Sequence, residues 1–147
     1  MWSVRGIVWG FLFAIAVMFA LPGAASAASA EARRHFDRAG EYFDRDDWDK
    51  AIAEYDIAIR LDPTYADAFG NRGGAYAEKS DYDHALADLT EALRLNPKLE
   101  FALANRAVVL WEQGRKEAEI VDLDKLPRLN PRNPLSYLTR APILMER

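Results

Sequence analysis

Cysteine is absent from this chain of 147 residues, which excludes disulfides, thiolate metal sites, a cysteine nucleophile and a lipid anchor on an N-terminal cysteine. Histidine is scarce: His35 and His84 stand far apart without ligand-spaced partners, and both read as helix-surface residues. No nucleophile elbow, phosphate-binding loop or zinc-protease motif occurs. Asp44, Asp46, Asp47 and Asp49 cluster, but without the spacing and glycine of an EF-hand loop, and they read as capping around a turn. An enzyme, a bound metal or a cofactor is therefore not expected. Excess positive charge is lacking as well: a net charge of -4 suits a polyanion poorly, so nucleic acid is not an expected partner. Disorder is not expected either, because half of the residues are hydrophobic.

The only extended apolar run, Ile7 to Leu21, is shorter than the roughly 20 residues that a spanning helix needs. It follows the basic start "MWSVR" and precedes "PGAASAASA", which holds two small-residue endings, Ala25-Ser26-Ala27 and Ala28-Ser29-Ala30. That order is the order of a secretory signal peptide. Residues 1–27 are expected to form it, with cleavage after Ala27 or alternatively after Ala30, and an uncleaved membrane anchor as the rival reading. Residues 28–31 would then be a short linker.

What the rest of the chain has in abundance is self-similarity. "AIRLDP" ends at Pro63, "ALRLNP" at Pro97 and "LPRLNP" at Pro131, a fixed distance of 34 residues. Aligned on these prolines, the chain divides into 32–65, 66–99 and 100–133. Ala51, Tyr55 and Ala58 lie on one face of a helix, and Ala85, Leu89 and Ala92 repeat them. Upstream, Ala39 and Tyr42 match Gly73 and Tyr76, then Ala107 and Leu110. Each segment reads as two helices, joined by "RDDWDKA" or "KSDYDHA", where Asp47 and Asp81 are suited to cap the second helix.

The pattern resembles the tetratricopeptide repeat family of helix–turn–helix units. The first two repeats are close to it, while the third departs: Glu119 and Leu126 replace packing alanines, and Pro127 falls inside the second helix. That helix is expected to stop or kink near Leu126. Asn133 and Pro134 form a helix start, and Tyr137, Ala141 and Leu144 fit a terminal helix, 134–147, that caps the stack. The expected fold is all-α, a right-handed α-solenoid of three helix pairs plus a capping helix.

A second series shares the period: Arg38, Arg72, Arg106 and Arg140, with Glu54, Asp88 and Asp122 in the facing helices. Because acid and base repeat together, arginine–carboxylate pairing within each helix pair is expected in preference to an open basic stripe.

The resemblance also implies that the first helices line a concave groove. Its positions would be Arg33, Phe36, Asp37, Gly40, Phe43 and Asp44 in the first repeat. The second supplies Asp67, Gly70, Asn71, Gly74, Ala77 and Glu78. The third supplies Phe101, Ala104, Asn105, Val108, Trp111 and Glu112. Two arrangements are open: a shallow trough with aromatic walls, or Phe43, Phe101 and Trp111 packed between repeats with no trough. Arg33, Phe36, Phe43, Asp67, Asn71, Glu78, Phe101, Asn105 and Trp111 are the expected partner-binding residues. Some members of the family hold the C-terminal carboxylate of heat-shock chaperones with a clamp of lysines, asparagines and an arginine. Asn71 matches one asparagine, but Phe36, Gly40, Phe101 and Asn105 occupy the other places, so that clamp is not expected here.

The function implied is an exported protein–protein interaction module, an adaptor or assembly factor, in the periplasm or secreted. The alternative is a self-associating envelope scaffold that dimerises through the apolar tail Leu135, Leu138, Ile143 and Leu144.

Overall fold

The computed structural model describes residues 22–115. Within them lie five helices: α1 Pro22–Phe43, α2 Trp48–Leu61, α3 Ala66–Glu78, α4 Tyr82–Leu95 and α5 Glu100–Glu112. No strand occurs among the described residues. α1–α2 and α3–α4 are the first two helix pairs, and α5 opens the third. The apolar leader run, the second helix of the third repeat, the members Asp122 and Arg140 of the charge ladder, the capping helix and the apolar tail all lie outside the described residues.

α1 begins earlier than the repeat period implies and takes in the expected linker 28–31. Alanine is the strongest helix former, so "AASAASA" continues a helix once one is started. Pro22 sits at its first position, where a missing N–H removes no helix hydrogen bond.

The recurring proline ends each pair through its effect on the residue before it. Asp62 (φ -136, ψ 91) and Asn96 (φ -136, ψ 93) are held in the same extended conformation, which a following proline enforces. Each side chain then fixes the turn: Asp62 Oδ1 accepts from Thr64 N at 2.9 Å, and Asn96 Oδ1 accepts from Lys98 N at 3.1 Å.

The turn inside each pair carries a feature that the sequence shows only once. Asp46 (φ 58), Ser80 (φ 60) and Gly114 (φ 71) all occupy the left-handed region, each 34 residues from the next. The N–H of each reaches back three residues, at 2.8–3.0 Å, and the following N–H reaches back five, at 2.8–3.0 Å. This is the Schellman closure of a helix end, in which glycine is favoured because it has no Cβ. Ser80→Gly is expected to stabilise the fold by about 0.5–1 kcal/mol and to raise Tm by roughly 3–6 °C in a thermal melt followed by circular dichroism. A lower Tm would contradict the reading. Asp81 caps α4 as expected, accepting from His84 N at 3.4 Å. Asp47 holds the equivalent place, but its carboxylate accepts from Lys50 Nζ at 2.5 Å and makes no side-chain cap bond.

Both alanine triplets are in the core. Ala51, Tyr55 and Ala58 join Ala39 and Ala68 in one cluster, and Ala85, Leu89 and Ala92 join Ala102, Leu103 and Ala107 in the next. Gly73 is where α3 meets α4: a Cβ there would stand 2.9 Å from Leu89 Cγ and 3.1 Å from the Ala85 carbonyl oxygen. Tyr55 is buried against Phe36, with ring centroids 5.6 Å apart, and burial pushes its phenol up to about 12.

The arginine series is structural where it is described. Arg72 Nε and Nη2 each donate to Asp88 at 2.7 Å, a two-pronged bond across the α3–α4 pair. Arg72 Nη1 also donates at 2.5 Å to Asp56 on α2, joining one helix pair to the next. Burial opposes the Arg72 charge, but the bonds and charges of Asp88, then Asp56, more than offset it and the pKa is raised. Arg38 reaches Glu54 at 3.4 Å, and Arg106 Nη1 donates to Thr90 Oγ1, the counterpart of Asp56, at 3.3 Å. A further link repeats at the same period: Lys79 pairs with Asp49, and Gln113 Nε2 donates to Asp83 at 3.3 Å.

His35 corrects the surface reading given to it. It is half-buried between α1 and α2, with Nδ1 2.6 Å from Glu54 Oε2. Burial raises the Glu54 pKa, yet the His35 hydrogen bond and then Arg38 outweigh it, so the carboxyl lies below its ordinary 4.5. The unfolded chain therefore binds this proton at higher pH than the folded one. Stability from Glu54 is complete above the unfolded pKa and falls as pH drops through the folded one. Urea midpoints measured from pH 6 down to about 3 are expected to fall more steeply for wild type than for Glu54→Gln. Equal slopes would contradict the pairing. His84, by contrast, is exposed and bonds Asp81 at 2.8 Å.

Candidate functional site

α1, α3 and α5 adjoin in one row. Gly74, near the end of α3, shows it directly: a Cβ added there would lie 3.3 Å from Asn105 Nδ2 on α5 and 3.9 Å from Phe43 Cε2 on α1. Gly70 and Gly74 of the expected trough are thus covered, whereas a Cβ at Gly40 would meet nothing within 4 Å. Gly70 is buried under the Phe101 ring, whose Cε2 would stand 2.7 Å from an added Cβ, with Leu99 alongside. Phe43 packs edge-on against Trp48 at 4.7 Å. Phe36 sits between Tyr55 and Tyr65, at 5.6 and 4.9 Å. Three of the expected aromatic walls are therefore packing residues between helices. Among the described residues the Phe101 ring occupies the space that Gly70 leaves, and the Asn105 amide stands over Gly74.

The remaining sites divide by exposure. Arg33 and Glu78 are exposed, and Asp67, Asn71, Asn105 and Trp111 are half-buried. Asn71 Nδ2 donates to the Asp67 carbonyl of its own helix at 2.9 Å, which commits one of its two amide N–H groups. Asp67 on α3 and Asp37 on α1 both bear electrostatically on the Tyr65 phenol. Burial pushes that phenol up, the Arg33 charge opposes it, and the charges of Asp67, Asp37 and Asp62 add to it.

Val108 is 51% exposed, and it is the exposed large hydrophobic residue of the described chain. It lies one helical turn from Trp111 and one from Ala104 on α5, on the face where Phe101 also stands. Among the described residues no group of three histidine, aspartate or glutamate side chains converges on a metal-sized site. No described helix is long and apolar enough to cross a membrane.

The repeats have identifiable relatives. Residues 40–80 match the family profile described as TPR repeat, and residues 66–99 match that of the tetratricopeptide repeat. Residues 40–99 thus carry tetratricopeptide repeats, and the described helices have the helical-solenoid fold of that family. Its structure is similar to the Arabidopsis OM64 TPR domain, with a TM-score of 0.78 at 20% identity, covering 82% of this chain and 99% of that one. It is similar to the second TPR domain of human RPAP3, solved in complex with the HSP70 peptide SGPTIEEVD. There the TM-score is 0.72 at 24% identity, over 81% of this chain and 97% of that one. The second TPR of Spaghetti (RPAP3), bound to the HSP90 peptide SRMEEVD, gives a TM-score of 0.71 at 25% identity, over 74% and 99%. No curated protein matches the sequence at a significant level.

The sequence reading missed Asp56, the second acid on Arg72. Its signal was present in the i, i+16 spacing that also relates Arg38 to Glu54 and Arg72 to Asp88. It broke down as a repeat because the next position is Thr90.

Proposed function

We propose that this protein is a non-enzymatic interaction module that docks a segment of another protein along the α1–α3–α5 face, as an adaptor or assembly factor. The observation that carries the reading is Val108, an exposed valine beside half-buried Trp111, on the helix row that the repeat family presents as its concave side. Solved relatives of this fold hold peptides, which supports the class of function. An apolar anchor exposed among polar neighbours is how peptide-binding surfaces gain affinity.

The test is affinity capture from the host with wild type and with Val108→Asp. Helicity should be unchanged, because Val108 is solvent-facing. A partner held by the wild type should be lost by at least about tenfold in the variant, the scale of one buried anchor. Retention of every captured protein by the variant would place the interaction elsewhere.

Export is part of the same proposal. The basic start, the apolar run and the two Ala-x-Ala endings favour removal of residues 1–27 and function in the periplasm or outside the cell. The intact mass of protein recovered from its host tests this: a chain beginning at Ala28 or Glu31 is expected, and a chain retaining Met1 would mean an anchored form.

A further inference from the structure

The α1–α3–α5 face carries an uneven share of the molecule's charge. Its acids are Asp37 and Asp44 on the first repeat, Asp67 and Glu78 on the second, and Glu112 on the third, against one cation, Arg33. The whole chain has 19 basic and 23 acidic residues, so this one face holds an excess equal to the net charge of -4. Arg72, Lys79, Lys50 and Arg94 are in ion pairs with Asp88, Asp49, Asp47 and Glu91, whereas none of the five face acids forms an ion pair among the described residues. Asp67 and Asp37 both act on the Tyr65 phenol in the direction opposite to Arg33. The peptides held by the solved relatives, SRMEEVD and SGPTIEEVD, end in acidic residues. This face would repel such a terminus.

We infer that the segment docked on this face is cationic: a lysine- or arginine-rich peptide stretch with an apolar side chain to set against Val108 and Trp111. The inference rests on the docking reading above and adds the charge of the partner. Unpaired like charges on one face attract the opposite sign over about a Debye length and disfavour the same sign, so they act on selectivity and association rate. The apolar anchor holds what the charge selects.

The test is fluorescence anisotropy at low salt, with protein recovered from expression of the full chain and three labelled probes. These are a lysine-rich peptide with one phenylalanine, the same peptide with glutamine in place of lysine, and SRMEEVD. Two charge-matched variants accompany the wild type: Asp37→Lys/Asp67→Lys/Glu78→Lys on the face, and Asp49→Lys/Asp83→Lys/Glu91→Lys on α2 and α4. The lysine probe is expected to bind best and SRMEEVD not at all. Face reversal should weaken the lysine probe by on the order of tenfold or more, and the α2/α4 reversal by less than about threefold. Equal binding of the lysine and glutamine probes, lost in Val108→Asp, would overturn the charge inference and leave the docking face standing. Equal loss in both reversal variants, or no binding by any probe, would overturn both.

Discussion

Arg72→Met is expected to lower the stability of the fold by about 3 kcal/mol, whereas Arg38→Met should cost less than about 1 kcal/mol. The two arginines occupy equivalent positions in successive repeats, and the difference follows from burial and bond geometry. The Arg38 side chain is 53% exposed and meets Glu54 at 3.4 Å, so water can replace the contact. Arg72 is 18% exposed, makes a two-pronged bond to Asp88, itself 10% exposed, and reaches Asp56 with its remaining nitrogen. Removing it strands a nearly buried carboxylate and brings Asp88 and Asp56 together without a cation between them. The double variant Arg72→Met/Asp88→Leu should recover most of the loss, because no unpaired charge then remains inside. Urea unfolding of wild type, Arg72→Met, Asp88→Leu and the double variant measures the cycle, with Arg38→Met beside them. A cost for Arg72→Met as small as that for Arg38→Met would show that the bridge is not holding the repeats together.

Gly73→Val should be comparably disruptive, with a loss of about 3 kcal/mol from overpacking. A Cβ at Gly73 meets Leu89 Cγ at 2.9 Å and the Ala85 carbonyl oxygen at 3.1 Å. Neither is the loose end of a side chain, so α3 and α4 must separate, and the methyl groups of valine drive them further. Gly73→Ala should be nearly neutral, since the gain in helix propensity, about 1 kcal/mol, offsets the tight contact. The alignment agrees: the same position is Ala39 in the first repeat and Ala107 in the third. Gly70 should be more forgiving. The atoms nearest its missing Cβ are the outer edge of the Phe101 ring, which can turn aside. Thermal melts of the Gly73 pair decide the matter, and a valine variant as stable as wild type would contradict the close helix approach.

These two sites also show what was legible beforehand. The period of 34 residues, the small–large–small faces and the prolines placed α2, α3 and α4 and the core alanines, because packing at fixed register leaves its mark in residue size. The pairing of Arg38 and Arg72 with acids followed from the same period. Three features did not. Asp46 and Ser80 take a conformation that the sequence marks with glycine only at Gly114. Asp56 lost its repeat at Thr90. The choice between aromatic walls and packed rings stayed open for a different reason: residue type tells that Phe43 and Phe101 are large, but not which way the rings turn. Both turn inward over glycine, Phe101 onto Gly70 and Phe43 toward Gly74 and Trp48. Helical periodicity specifies the side of a helix, whereas the neighbours decide whether a ring on that side lines a groove or fills it.

The α1–α3–α5 face is the proposed docking surface, and site-specific photocrosslinking in the host tests it most directly. A photoreactive residue placed at Val108 should yield a discrete crosslinked species with one partner, and the same residue at Arg94, exposed on α4, should yield none. Crosslinking from Arg94 but not from Val108 would contradict the account and move the interaction to the second helices.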